Sequence, residues 1–487
     1  MSGDVNTTEI IVLLAPLLAL AGLGLLLLLL EALFPRIYGE SLVSIALAGM
    51  ASAVFLAFAG GSEIPAVVHG MIKIDPLAVA FLCLIALTTS LTLMISLNAC
   101  IDARFRLGLY SALVIFAATA AGVTAASVHW VSIFVGAEMT MFFLAALFRL
   151  SRYENGKIKP PGQLIFYTAA ASSLLALGIT LILISSEAGS FDHLTTGGLQ
   201  SVAQMGLALV IAALALKIFC LTLSVGLPIS GLSLPAPLAA FATTVGVTAF
   251  IAPLLRIMLV TDLQEVFPWQ EVIGAVAILA MIVGNAIAWR QQNLKQLLGS
   301  STLVHAGYLL VGLAAGNEQG YASVLFYILV FGLINLGAYG VIALQSRADG
   351  EAAMREDIRG LAYRQPFAAA AMGIFVLALV GLPITAGFMS KFFSFSAAMT
   401  GGHWWLVAAA ALSTLISIKY YFDIIAVMFM EFPPALASAE TEKGEGELRL
   451  MLFVRIALGL ALVATVVLGV APARWLEIFQ SLVRSLH

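Results

Sequence analysis

Long apolar stretches follow one another along the whole chain, separated by short polar segments. Fourteen can be delimited, at roughly 10–34, 41–60, 76–98, 107–125, 127–149, 162–186, 204–225, 236–256, 271–289, 298–315, 321–345, 367–398, 403–430 and 451–472. Most hold about 20 residues, the length an α-helix needs to cross a ~30 Å hydrocarbon layer. Backbone polar groups have no water partner in hydrocarbon, so a spanning segment must satisfy them itself. The pattern therefore predicts an all-α polytopic membrane protein of about 14 transmembrane helices. The first stretch, Ile10–Phe34, is too long for a signal-peptide core, and MSGDVNTTEI before it carries no basic residue; it reads as a retained first span.

Composition narrows the function classes. Of 487 residues, 62% are hydrophobic and only 10% charged, too few to cover a soluble protein of this length. The net charge of −3 does not suggest nucleic acid. Cys83, Cys100 and Cys220 are dispersed and form no CxxC or Cys/His cluster, so neither an iron–sulfur nor a zinc site is expected. No glycine-rich nucleotide motif follows a strand-like run. Neither a cofactor nor a metal is expected in this chain.

Basic residues order the spans. Loops after odd-numbered spans carry 15 Lys and Arg, among them Arg149, Arg152, Arg290, Lys295 and Arg355. Even-numbered loops and the C-terminal tail carry 4: Lys73, Arg256, Arg474 and Arg484. The positive-inside rule places the odd loops in the cytoplasm and both termini outside.

The sequence VGLPI occurs twice, at 225–229 and 380–384, in the seventh and twelfth spans. Pro228 and Pro383 each remove a backbone donor and clash with the preceding turn. Gly226, Gly231, Gly381 and Gly387 let the chain bend. Both spans are expected to be discontinuous. Five spans separate the two copies, so a five-helix unit used twice must face opposite ways: an inverted repeat. The implied division is 1–106, an N-terminal three-helix segment; 107–256, the first repeat; 257–430, the second repeat; and 431–487, a C-terminal loop and last helix.

Four ionisable residues lie deep within spans: Glu138 in FVGAEMTMFF, Lys217 in ALALKIFCL, His305 in STLVHAGYLL and Lys391 in GFMSKFFSF. Such a charge costs about 2.5–3.5 kcal/mol at a helix centre on insertion scales and usually faces a partner or a wet cavity. A lysine able to lose its proton can also relay one, so these four are candidate stations of a proton path. The plainer alternatives are a static Glu138–Lys217 pair and a packing His305. Lys419 and Asp423, spaced i,i+4, read as a local charge pair.

These residues carry a resemblance. Lys217 followed by Pro228, Pro235 and Pro237, with Arg256 closing the eighth span, resembles the antiporter-like subunits of respiratory complex I. RQQNLKQLLGSSTLVHAGYLLVGL at 290–313 is similar to that family's Q-x-N-L-K-R-L-L-A-Y-S-S-I-x-H-x-G-Y. DIRGLAYRQPFAAAAMGIFVLALVGLPITAGFMSKFFSF at 357–395 is close to its D-L-x-G-L…P…S-L-x-G-I-P-x-T-x-G-F-x-x-K-F. A lysine at 391 makes the likeness strongest to subunit N of bacterial NADH:quinone oxidoreductase, called subunit 2 in mitochondria. Departures lie in the first half: Ser224, Gly226, Val247 and Gln163 stand where the family has histidine, tryptophan and two lysines.

The resemblance implies a membrane-arm subunit of a hetero-oligomeric complex in the bacterial inner membrane. Glu138, Lys217, His305 and Lys391 would relay protons. NADH, FMN, iron–sulfur clusters and quinone would belong to partner subunits. Two alternatives stay open: a subunit of a multisubunit cation/proton antiporter or membrane-bound hydrogenase, and a non-pumping structural paralogue.

Overall fold

In a computed structural model, the described residues are 7–34, 39–60, 67–102, 106–150, 153–154, 157–158, 162–186, 201–227, 234–260, 268–345, 353–430 and 445–486. They are almost entirely helical. The helices are α1 (Thr7–Leu33), α2 (Gly39–Gly60), α3 (Pro76–Asp102), α4 (Leu107–Ala126), α5 (Trp130–Leu150), α6 (Gly162–Ser186) and α7 (Ser201–Gly226). Next come α8 (Ala236–Phe241) and α9 (Val247–Val260), joined by a π-helical turn, Ala242–Gly246. The remainder are α10 (Trp269–Ala288), α11 (Leu294–Ala314), α12 (Glu318–Gln345), α13 (Leu361–Arg364), α14 (Pro366–Val380), α15 (Ala386–Thr400), α16 (Trp404–Phe429), α17 (Glu445–Val470) and α18 (Pro472–Arg484). Two short antiparallel strand pairs, Val67–Val68 with Ile72–Lys73 and Tyr153–Glu154 with Lys157–Ile158, lie outside the spans.

Among the described residues, 13 helices are long and apolar enough to cross a membrane, the α8–α9 unit counting as one. The end-to-end pair α14 and α15 supplies a fourteenth crossing in two halves. The α8–α9 unit, α11 and α12 are buried along their length and form the centre of the bundle. Helices such as α2, α6 and α16 present large apolar side chains outward, among them Phe55, Phe166 and Leu412. In a spanning protein that is the surface expected to face hydrocarbon or partner helices.

The two VGLPI copies end differently. In the second, α14 stops at Val380 and Gly381 takes a left-handed φ of 83°. The Gly381 N–H donates to Ala378 O at 3.0 Å and the Leu382 N–H to Leu377 O at 3.1 Å, a Schellman closure. After Pro383 and Ile384, the Thr385 hydroxyl accepts from the Phe388 N–H at 3.2 Å and starts α15. Gly387 lies against the Ala378 carbonyl, where a side chain has no room. In the first copy, α7 runs unbroken through Lys217 to Gly226, so the break lies at the helix end and not beside the lysine. There Gly226 closes onto α11, whose Ser300 hydroxyl donates to Gly226 O at 3.2 Å. Residues 228–233, including Pro228 and Gly231, fall outside the described residues.

Two basic residues assigned to loops lie inside the bundle. Arg256 is part of α9 and only 1% exposed. Its guanidinium donates to Asp75 Oδ2 at 2.7 Å and Oδ1 at 2.8 Å, and its Nε–H to Ala125 O at 3.1 Å. Three elements, the start of α3, the end of α4 and α9, are thus tied by one side chain. Lys295 is buried in the first turn of α11, which Asn293 caps by accepting from the Lys295 and Gln296 N–H groups.

Candidate functional site

The four ionisable residues gather into two clusters. The first joins α5, α6 and α7. The Lys217 ammonium donates to Glu138 Oε1 at 2.8 Å and to Ser172 Oγ at 2.9 Å. Ser172 Oγ also lies 2.8 Å from Glu138 Oε2. Lys217 is fully buried, whereas the Glu138 side chain is 30% exposed. The pair is therefore closed on the lysine side and accessible on the carboxylate side. Ser172 lies in a run, AAASSLL, whose hydroxyls look like ordinary helix packing.

The second cluster joins α11, α12, α15 and α16 with the break before α15. The Schellman closure uses the Leu377 and Ala378 carbonyls and frees those of Leu379 and Val380. The Lys391 ammonium takes both, at 3.0 and 2.9 Å, so α15 supplies the cation that caps α14. The same ammonium sits 4.7 Å from the centroid of the Tyr308 ring, a cation–π contact. Among the described residues no carboxylate reaches it. A lysine held by dipoles and a ring face is held without a counter-charge, unlike Lys217.

Tyr308 meets His305 edge to face at 5.7 Å between centroids. His305 Nδ1 lies 2.8 Å from the Tyr327 hydroxyl and Nε2 3.2 Å from the Tyr421 hydroxyl. A neutral imidazole donates from one nitrogen and accepts at the other, so each tautomer finds a partner on both sides. Tyr308 OH is 2.9 Å from Ser413 Oγ and accepts from Thr414 Oγ1 at 3.1 Å. Asn285 extends the network, donating to Ser413 Oγ at 2.8 Å and accepting from Tyr420 OH at 3.2 Å. A cavity of about 530 Å³ opens beside Lys391 between α15 and α16, lined by Phe392, Phe395, Thr414 and Leu415 among others.

The sequence reading finds Glu138, Lys217, His305 and Lys391, and the structure brings them together in pairs. It does not show the tyrosines that complete the second cluster. Their apolar rings fit an apolar run, so nothing in the pattern singles them out. No hydrogen bond among the described residues joins the two clusters. Val247, where the family has a lysine, is buried in the central α8–α9 unit. Ser224 donates to Leu221 O within its own helix at 2.6 Å. Lys419 and Asp423 form the expected pair at 3.0 Å, and Arg355 joins Asp423 at 3.1 Å.

Residues 127–417 match the family described as "NADH:quinone oxidoreductase/Mrp antiporter, TM". The chain is 30% identical to an NADH-quinone oxidoreductase subunit N of Acinetobacter baumannii, over 86% of this chain and 84% of that protein. It is 29% identical to one of Geotalea uraniireducens, over 96% and 98%. In fold it is similar to a chain of respiratory complex I from Thermus thermophilus, with a TM-score of 0.75, 23% identity and coverage of 95% and 98%. It is also similar to a chain of the Mrp complex from Dietzia sp., with a TM-score of 0.80, 19% identity and coverage of 99% and 98%.

Proposed function

Because the chain belongs to the NADH:quinone oxidoreductase/Mrp antiporter transmembrane family, we propose that it is the subunit-N member of a proton-translocating NADH:quinone oxidoreductase membrane arm. Full-length similarity to proteins named subunit N supports this choice within the family. The chain sits with other membrane-arm subunits in a hetero-oligomer. NADH, FMN, iron–sulfur clusters and quinone belong to those partners, and this chain contributes the proton path.

The path uses the two clusters in turn. Glu138 offers the partly exposed carboxylate at which a proton arrives, and Lys217 carries it inward. His305, held between the Tyr327 and Tyr421 hydroxyls, is the next station, and Lys391 lies beyond it on the far side of the Tyr308 ring. Lys391 releases it at the break between α14 and α15. The observation that carries the reading is Lys391 on the freed Leu379 and Val380 carbonyls: an ammonium fixed at mid-membrane by a helix break.

The membrane is the bacterial inner membrane, with both termini on the periplasmic side. Charge asymmetry supports this orientation, and setting aside the buried Arg256 and Lys295 leaves its sign unchanged.

Purification of the complex through a tag on this chain tests the reading. Flavin- and cluster-bearing partners should co-purify, and Lys391→Met should assemble yet lose proton uptake coupled to NADH oxidation. Co-purification of antiporter chains without NADH oxidation would place the chain in a cation/proton antiporter instead.

A further inference from the structure

The two buried lysines are gripped by different kinds of charge. Glu138 Oε1 lies 2.8 Å from Lys217 Nζ, a full counter-charge. Lys391 Nζ has the Leu379 and Val380 carbonyls, which are dipoles, and the face of the Tyr308 ring, 4.7 Å away at its centroid. That face is the negative lobe of the ring's quadrupole. Its pull on a cation is weaker than a carboxylate's, and it strengthens where water is excluded. Here both partners are buried, Tyr308 completely and Lys391 with 4% exposure.

Tyr308 is held in this attitude from three sides. Its hydroxyl accepts from Thr414 Oγ1 at 3.1 Å and lies 2.9 Å from Ser413 Oγ, both on α16. Ser413 is fixed in turn by Asn285 of α10, whose Nδ2 donates to it at 2.8 Å. Phe395, one turn after Lys391 on α15, meets the ring at 5.8 Å with the planes 65° apart. His305, three residues before Tyr308 on α11, meets it at 5.7 Å and 87°. The phenol thus spends its hydroxyl on α16 and offers its face to α15. Its contact with Lys391 is through the ring, not through the oxygen.

The titratable groups around the ammonium supply no other negative charge. They are His305 and Tyr308 on α11, Tyr327 on α12, and Tyr420 and Tyr421 on α16. The half-span α14 has no titratable residue, and Arg455 of α17 is exposed. An aliphatic side chain at 308 would fill similar space and leave the cation with backbone dipoles alone.

We propose that Tyr308 is a positioning residue for the proton step at Lys391, its ring face standing in for a counter-ion. The attraction is strong enough to keep a charged amine in a dry site and weak enough to let its proton go. A carboxylate in that place would grip the ammonium as Glu138 grips Lys217. The proton leaves from Lys391 Nζ, and the ring forms and breaks no bond. The proposal rests on the proton-translocating reading of the chain.

The test is the pH profile of proton uptake per NADH oxidised, measured on the assembled complex in vesicles. Phenylalanine analogues with one, two or three ring fluorines, placed at position 308, keep the ring's shape while draining charge from its face. Each added fluorine should move the alkaline fall-off of uptake further toward lower pH, because a cation held less well gives up its proton sooner. Tyr308→Phe should keep the fall-off near its wild-type position, since the ring remains, even where loss of the hydroxyl slows uptake. Tyr308→Leu should move it by about one pH unit, the shift that a desolvated cation–π contact corresponds to. Where Tyr308→Leu does not assemble, the fluorinated series decides, because a packing role predicts no trend across it. A fall-off that stays in place along that series overturns the proposal. If Lys391→Met loses uptake while the series shows no trend, the role of the ring falls and the translocating reading stands; if Lys391→Met keeps uptake, both fall.

Discussion

Lys217 and Lys391 are both buried ammonium groups, yet their surroundings predict different responses to mutation. Lys217 has a counter-charge and Lys391 has only dipoles. Removing one partner of a fully buried ion pair costs about 3–5 kcal/mol, because the other charge is left uncompensated. Glu138 is partly exposed, so Glu138→Gln should destabilise the folded complex by less, about 1–3 kcal/mol after discounting for screening. Ser172→Ala should cost about 1 kcal/mol, the worth of a typical hydrogen bond. Thermal unfolding of the detergent-solubilised complex measures both, and an equal loss in the two variants would contradict the pairing. The Asp75–Arg256 pair is a structural counterpart. Burial pushes the Asp75 carboxyl up, but hydrogen bonds and charge from Arg256 outweigh burial and hold it below the usual carboxylate range. A carboxyl lowered on folding adds stability above its unfolded value and loses it as pH falls through the folded one. Asp75→Asn should flatten the acid limb of stability against pH. The lysines and Glu138 are legible in the sequence because a charge inside an apolar run stands out. Arg256 is not, because it lies where the apolar run fades and reads as a loop cation. Ser172, Tyr327 and Tyr421 are hidden for the opposite reason: hydroxyls and rings cost little in a helix and carry no periodic signal.

Among elements, the informative contrast is between the two VGLPI copies. The same five residues end α7 in one place and split a span in the other. What differs is downstream: T-A-G-F gives Thr385 as a cap and Gly387 as a close contact, so a new helix starts at once. The first copy is followed by S-G-L-S-L-P, and the next described helix begins at Ala236. Repetition is therefore visible in the sequence and ends a helix at the same letters twice, but the restart of the second half-span depends on Thr385 and Gly387, outside the repeated letters. Gly381 is the sensitive point. Its φ of 83° suits glycine, and an added Cβ would lie 3.0 Å from Lys391 Cδ. A left-handed non-glycine residue costs about 1–2 kcal/mol, and here it would also push the lysine off the Leu379 and Val380 carbonyls. Gly381→Ala should assemble with reduced proton uptake, read as uptake per NADH oxidised. Wild-type coupling in that variant would separate the break geometry from the lysine's task.

At the scale of the whole molecule, the buried centre and the exposed shell divide the work. The α8–α9 unit, α11 and α12 form the buried centre, with His305 on α11 and Tyr327 on α12, and the outer helices present apolar surface to hydrocarbon or partners. Thirteen crossings among the described residues follow from apolar helix length and the α14–α15 pair adds one in two halves, which is why the architecture is legible in the amino-acid sequence itself. The spatial grouping of the site is not legible in the same way. Glu138 and Lys217 are 79 residues apart, and His305 and Tyr421 are 116 apart, separations that only packing closes.

The central claim is that both clusters belong to one working proton path despite Val247. Proton uptake in vesicles per NADH oxidised, wild type against Lys217→Met in an intact complex, tests it most directly. Loss of uptake with retained assembly is the predicted result. Unchanged uptake would mean that the first cluster is a static ion pair and that the chain serves as a structural member of the membrane arm.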